Sequence, residues 1–130
     1  MDVMNLGDWL GRRALLSPHT VALFDAQHDM RPITYGEWNA TANRTAHLLR
    51  TLGVERGDRV ATLAQNCVDL LDLWFACGKI GAILQPLNWR LTPTELSDLI
   101  ADGEPRVLAY GPEYTAATLL LRERTTSVTH

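Results

Sequence analysis

From residue 59 onward, short β-prone runs alternate with longer helical ones, and no other feature restricts the fold so strongly. Arg59-Val-Ala-Thr-Leu-Ala64 follows a Gly57-Asp58 turn and predicts a strand, as do Ala82-Ile-Leu-Gln85 and Arg106-Val-Leu-Ala-Tyr110. Between and after them lie three helical segments. One is capped by Asn66 with Asp69 and runs to about Lys79. The next opens on the capping box Thr92-Pro93-Thr94-Glu95 and ends near Asp102-Gly103, and the last spans Tyr114 to Arg124. A β-α-β-α-β-α order needs crossover connections between parallel neighbours, with helices packed on the sheet faces. The expected class is therefore α/β: a layered parallel or mixed sheet flanked by helices. After Arg124 the β-prone Thr-Thr-Ser-Val-Thr-His begins a fourth strand and stops. The alternation promises more sheet than these residues supply, so residues 1–130 are expected to form one unit, the incomplete N-terminal portion of a larger domain.

The preceding residues predict a different arrangement. Asn5 can cap a first helix with Asp8 in its first turn, and Leu6, Trp9, Leu10 and Leu16 mark its expected buried face. Ser17-Pro18 ends it, because the residue before proline disfavours helix. Val21–Asp25 and 31–34 around the polar turn 26–30 read as a short N-terminal β-hairpin. Thr34-Tyr35-Gly36-Glu37 is a capping box opening a helix with Trp38, Ala42, Thr45, Leu49 and Leu52 on one face and Gly53 as its left-handed C-cap. On the helix ending near Lys79, the polar Asp69, Asp72 and Lys79 fall on one narrow stripe, so that stripe is expected to be solvated and the rest buried.

Composition excludes several function classes. Net charge is -3 with acids and bases interspersed, so no basic patch is present to neutralise a nucleic-acid backbone. No apolar run approaches the roughly 18 residues that span a bilayer. The start Met-Asp-Val-Met-Asn-Leu-Gly lacks the basic region and apolar stretch of a signal peptide. Cys67 and Cys77 lie in an apolar segment without Cys-x-x-Cys spacing, which fits inert, reduced thiols in a cytoplasmic protein.

Candidate sites are few. Gly78 and Gly81 follow a helix and precede a strand, whereas phosphate loops run from strand into helix so that free N–H groups face the anion. They are therefore expected to end a buried helix and turn the chain into a strand. His19, His28, His47 and His130 are scattered, without partners at metal-ligand spacing, so no metal site is expected. Ser17, Ser97 and Ser127 lack a nucleophile-elbow context, and no catalytic residue is assigned. Asn88 and Arg90 differ, because they sit at the C-terminal end of a predicted parallel strand, where open α/β sheets bind ligands. Asn can hold a tight turn and Arg can fork to a carboxylate or phosphate, so a structural and a ligand-lining role both stand.

Four stretches in order resemble the N-terminal part of the adenylate-forming superfamily, acyl-CoA synthetases above all. They are I-T-Y-G-E-W-N-A-T-A-N-R-T-A-H-L-L (33–49), G-V-E-R-G-D-R-V-A-T-L (53–63), W-F-A-C-G-K-I-G-A-I-L-Q-P-L-N-W-R-L (74–91) and E-L-S-D-L-I-A-D-G-E-P-R-V-L (95–108). The first resembles the family's Thr-Tyr-x-Glu-Leu signature with Trp38 in place of Leu, and the third its Gly-Ala-x-x-x-Pro-Leu-Asn signature. The resemblance implies a large layered N-terminal domain followed by a small mobile one. It also implies activation of a carboxylic acid with ATP and Mg²⁺ to an acyl-adenylate, which coenzyme A then attacks. The family's phosphate loop, its nucleotide-binding motifs and its catalytic lysine have no match in these residues. The segment alone is therefore expected to bind none of these cofactors and to be inactive. Thr34, Tyr35, Glu37, Gly81 and Pro86 are carried over as scaffold, with Asn88 and Arg90 as candidates to line a substrate channel. Competing readings are a non-catalytic interaction or dimerisation module derived from such an enzyme, using exposed apolar surface or a sheet edge, and an adenylation domain of a peptide synthetase.

Overall fold

The computed structural model describes residues 5–130, so the first four residues of the stretch read for a signal peptide lie outside the described residues. Its elements are α1 (Trp9–Leu16), β1 (Val21–Asp25), β2 (Arg31–Thr34), α2 (Tyr35–Thr51), β3 (Arg59–Leu63), α3 (Val68–Ile80), β4 (Ile83–Pro86), α4 (Pro93–Gly103), β5 (Val107–Tyr110) and α5 (Thr115–Arg122). A 3₁₀ turn, Leu6–Asp8, precedes α1 and another, Pro112–Tyr114, precedes α5. The strands β1 and β2 pair antiparallel as the expected hairpin, and β3, β4 and β5 form a parallel sheet in the order β4-β3-β5. The α/β expectation holds, with the parallel strands flanked by helices. The tail lies against β5: Leu108 N–H donates to the His130 carbonyl at 3.0 Å and Thr129 N–H to the Arg106 carbonyl at 3.0 Å. It continues the sheet's edge without forming an assigned fourth strand.

Three apolar clusters tie the layers together. On one face of the sheet, Ala46 and Leu49 of α2 and Ala76 and Cys77 of α3 meet Val60 and Val107. On the other, Leu96 and Ile100 of α4 and Leu121 of α5 meet Ala61 and Leu63. Val60, Ala61 and Leu63 are fully buried, as a central strand covered on both faces requires. The third cluster joins Leu10, Ile33, Trp38 and Ala42, where the hairpin and α1 lean on α2, and Trp38 meets Phe75 edge-to-face at 5.0 Å. Both capping boxes form as expected, at Thr34/Glu37 and Thr92/Glu95.

Several local expectations change. Leu10 and Ala14 form the buried face of α1, while Leu6, Trp9 and Leu16 are exposed. The 3₁₀ turn and α1 each have their own N-cap: Asn5 accepts from Gly7 N–H and Asp8 from Gly11 N–H. Cys67, not Asn66, is the N-cap of α3, and no side chain bonds there. The polar stripe of α3 is split: Asp69 is exposed as expected, whereas Asp72 is buried at 4% exposure and the apolar Trp74 is 62% exposed. Lys79 is half-buried, its Nζ donating to Asp8 Oδ1 at 2.5 Å and Asn39 Oδ1 at 2.7 Å. Helical periodicity identifies which residues share a stripe but not which neighbour the stripe meets, and here the neighbours are polar groups of the N-terminal turn and α2. Gly81 does end α3, in the left-handed conformation at φ 75°. Gly78 instead lies within α3, and a Cβ there would sit 2.5 Å from the Gly7 carbonyl oxygen. Its role is close approach of the N-terminal turn to the helix.

Candidate functional site

The three parallel strands end on one side of the sheet, and the loops leaving them converge there. Because β3 lies between β4 and β5, the chain moves from β3 to one neighbour and then crosses to the other side. Such a reversal opens a crevice beyond the strand ends, where ligands settle in open α/β sheets.

The loop after β4 carries Asn88 and Arg90. Leu87 N–H extends the β3–β4 ladder by donating to Thr62 at 2.8 Å, and then the chain turns. Asn88 Oδ1 accepts from Arg90 N–H at 3.1 Å, and its carbonyl accepts from Leu91 N–H at 3.1 Å. The Asn88 side chain therefore holds the turn, the structural role open to an Asn at this position. The Arg90 guanidinium lies 4.4 Å above the Trp89 ring, and that ring is 6.4 Å from Tyr114. The Tyr114 hydroxyl is buried without a hydrogen-bond partner among the described residues. Strand end and loop thus join Asn88 and Arg90 to Trp89 and Tyr114. Tyr114 carries no signal in a linear reading, since 24 positions separate it from Arg90.

The scaffold positions occupy other parts of the fold. Thr34 N–H donates to Glu37 Oε2 at 2.8 Å and Glu37 N–H to Thr34 Oγ1 at 3.2 Å, which holds the Glu37 carboxyl below its ordinary pKa. Tyr35 lies beneath the Arg13 guanidinium at 5.1 Å. Gly81 and Asn88 stand at opposite ends of β4, and Pro86 pairs with Thr62.

A second polar region is a cleft of about 620 Å³ between the hairpin, α2 and α3. Asp25, buried at the end of β1, accepts from Gln27 N–H at 3.1 Å and from His28 Nδ1 at 2.9 Å. The His28 bond, foremost, holds its carboxyl below the ordinary range. His28 is thus partnered, three residues from the carboxylate that the hairpin turn brings beside it. Across the cleft stands Asp72, whose carboxyl is pushed up to about 6 by burial, with Asp69 adding repulsion. Trp38 and Arg44 oppose the rise. Trp38 Nε1 and Asp72 Oδ1 nevertheless each lack a partner meeting hydrogen-bond geometry, so the indole acts on the carboxyl only as a weak neighbour. Burial also pushes the Cys77 thiol up to about 12, leaving it protonated and unreactive.

Comparison with known proteins places this arrangement. The sequence pattern of the family described as AMP-binding enzyme matches residues 10–129. The chain belongs to that family. It is 41% identical over 121 residues to the feruloyl-CoA synthase of an Amycolatopsis species, covering 93% of this chain and 24% of that protein. It is 40% identical over 107 residues to the long-chain-fatty-acid–CoA ligase FadD13 of Mycobacterium tuberculosis, covering 82% of this chain and 21% of that protein. Among solved structures, a fatty acyl CoA synthetase of M. tuberculosis superimposes with a TM-score of 0.92 at 34% identity, over 99% of this chain and 26% of that one. The N-terminal domain of FACL13 from the same organism follows at 0.88 and 34%, over 95% and 31%. The chain thus spans about a quarter of the length of the curated relatives it matches.

The loops after β3, β4 and β5 carry neither a Gly-rich Ser/Thr phosphate cradle nor an uncommitted lysine. Lys79 is committed to Asp8 and Asn39, and no three His, Cys, Asp or Glu side chains converge to hold a metal among the described residues.

Proposed function

We propose that this chain works as the N-terminal segment of an ATP-dependent acyl-CoA ligase, contributing scaffold and one wall of a substrate channel while the nucleotide chemistry is supplied by residues outside it. The observation carrying this reading is the match to CoA ligases along 93% of the chain but only 24% of the relative. The reaction of the longer polypeptide joins a carboxylic acid, ATP and CoA into acyl-CoA, AMP and pyrophosphate, with Mg²⁺ as counter-ion. In a segment without donors aimed at the transferring phosphoryl group, adenylation is negligible. No helix among the described residues is long and apolar enough to cross a membrane. With unbridged Cys67 and Cys77, a reducing, cytoplasmic setting is the proposed location.

Two measurements test this. Pyrophosphate release with ATP, CoA and a panel of aliphatic and aromatic acids is expected from a longer polypeptide carrying this segment and not from residues 1–130. Turnover by the isolated segment would refute the scaffold role. In the longer polypeptide, Arg90→Ala is expected to raise KM for the acid or CoA with folding unchanged; an unaltered KM for both removes Arg90 from the channel.

A second reading, self-association, is favoured by specific surface. Trp9, Leu15, Leu16, Phe24 and Trp74 are each at least 60% exposed, and β4 is an outer strand of the described sheet. Sedimentation of residues 1–130 over a hundredfold concentration range is expected to show dimer, and a strict monomer refutes it.

A further inference from the structure

Beyond the strand ends, one stack runs outward from the core through Tyr114, Trp89 and Arg90. Tyr114 packs against the buried cluster that holds Leu63, Leu87, Leu96 and Leu121. The Trp89 ring lies 6.4 Å from it at an interplanar angle of 41°, and the Arg90 guanidinium stands 4.4 Å from the Trp89 centroid, well inside cation–π range. The backbone beneath is fixed on both sides. Leu87 is buried, Leu91 packs against the same cluster, and Asn88 Oδ1 accepts from Arg90 N–H at 3.1 Å. Arg90 itself is exposed and forms no ion pair among the described residues. Glu95, five positions on, spends its carboxylate on Thr92, accepting from the N–H and from Oγ1 at 2.8 Å each. Arg106 shows the contrast, being held by Asp58 Oδ2 and the Gly53 carbonyl. The indole is thus what orders the Arg90 side chain.

We propose that Trp89 is a positioning residue for Arg90: its ring, backed by Tyr114, holds the guanidinium in place so that the in-plane N–H groups stay open to an anionic group of the substrate. The inference rests on the reading of Arg90 as part of the channel wall. A long side chain that must be ordered on binding costs affinity, and one ordered beforehand by an aromatic face escapes much of that cost. A guanidinium over a ring keeps its donor edge free, and that edge is the one that forks to a carboxylate or a phosphate. A Trp89 that only covered Tyr114 would change stability and leave Arg90-dependent binding alone, which gives the two roles different readouts.

The test is a mutant cycle in the longer polypeptide, with the acid and CoA titrated separately so that a carboxylate and a phosphate-bearing ligand are told apart. Trp89→Met keeps apolar bulk and removes the aromatic face. It is expected to raise the KM of whichever substrate Arg90→Ala weakens by about 2- to 10-fold, with kcat within about twofold of the parent. Trp89→Phe keeps a smaller face and is expected to bring that KM back to within about twofold of the parent. In the Arg90→Ala background Trp89→Met should add nothing, because the group it positions is gone. The same factor in both backgrounds, or a KM unchanged by Trp89→Met, would overturn the positioning role. Should Trp89→Met not fold, Arg90→Lys decides from the other side. It keeps the charge without the plate that lies on the ring, and the same KM is expected to rise severalfold; a KM equal to the parent's overturns the proposal. An unaltered KM in Arg90→Ala refutes the channel reading and this inference with it, whereas a raised KM there with independent factors in the cycle refutes the positioning alone.

Discussion

Replacing Asp72 by Asn separates the cost of burying a charge from the benefit of the contacts around it. Its carboxyl has an ordinary pKa of 3.8 and is raised to about 6 in the folded chain, first by burial and then by Asp69. At about 1.4 kcal/mol per unit, the ionised form opposes folding by roughly 2–3 kcal/mol at neutral pH. The sign follows from proton linkage. A folded-state pKa above the unfolded one gives stability that is complete below pH 3.8 and lost as pH rises through about 6. Asn keeps the side-chain volume and cannot ionise, so it escapes this loss. Urea unfolding of the parent chain and Asp72→Asn between pH 3.5 and 8 should show a stability difference that shifts toward the variant across that window and then levels off. The expected swing is roughly 2–3 kcal/mol, and the level at low pH reports the uncharged amide's own fit. A difference constant with pH, or one shifting toward the parent chain as pH rises, would show that Asp72 is satisfied in the folded state and refute this account of α3.

Other perturbations probe the rest of the fold. Gly78→Ala would drive a Cβ to 2.5 Å from the Gly7 carbonyl and is expected to lower stability by about 1–3 kcal/mol in denaturant titrations. Gly53→Ala, at φ 84° with open space around it, should cost only the backbone strain of about 1–2 kcal/mol, and equal losses beyond 3 kcal/mol at both sites would contradict this distinction. Lys79→Met removes the donor shared by Asp8 and Asn39, with an expected loss of about 1–3 kcal/mol and faster amide exchange in residues 6–11. Joint Glu37→Gln and Glu95→Gln should destabilise at neutral pH. Their folded pKa values lie below the ordinary 4.5, so the difference from the parent chain should vanish as pH falls through that region.

The parallel sheet was legible because its signals are local. Thr34/Glu37 and Thr92/Glu95 announce helix starts through side chains three residues apart, and Gly53 and Gly81 announce ends through a conformation that other residues adopt at a cost. The strand order β4-β3-β5 was not legible, since a run such as Arg59–Leu63 states that it is buried without stating between which neighbours. The same limit explains Leu16 and Trp9, which have the spacing of a core face but stand exposed because the Leu6–Asp8 turn and Pro18 set how α1 meets α2.

Asp72 and Lys79 depart from the solvated stripe for a single physical reason, while Asp69 keeps to it. A charged side chain on an amphipathic helix is assigned to solvent because burying an isolated ion is costly, yet that cost falls once a complementary group arrives from elsewhere in the chain. Lys79 has such a group in Asp8, 71 positions away, and Asp25 has one in His28. Asp72 has only Trp38, at imperfect geometry, and Arg44, which opposes but does not cancel its raised pKa. The first two are therefore structural ions whose partners complete them, and they carry no chemistry of their own. Asp72 is the least compensated of the three, and its ionised form lowers the stability of the fold. The pH dependence of Asp72→Asn measures that loss.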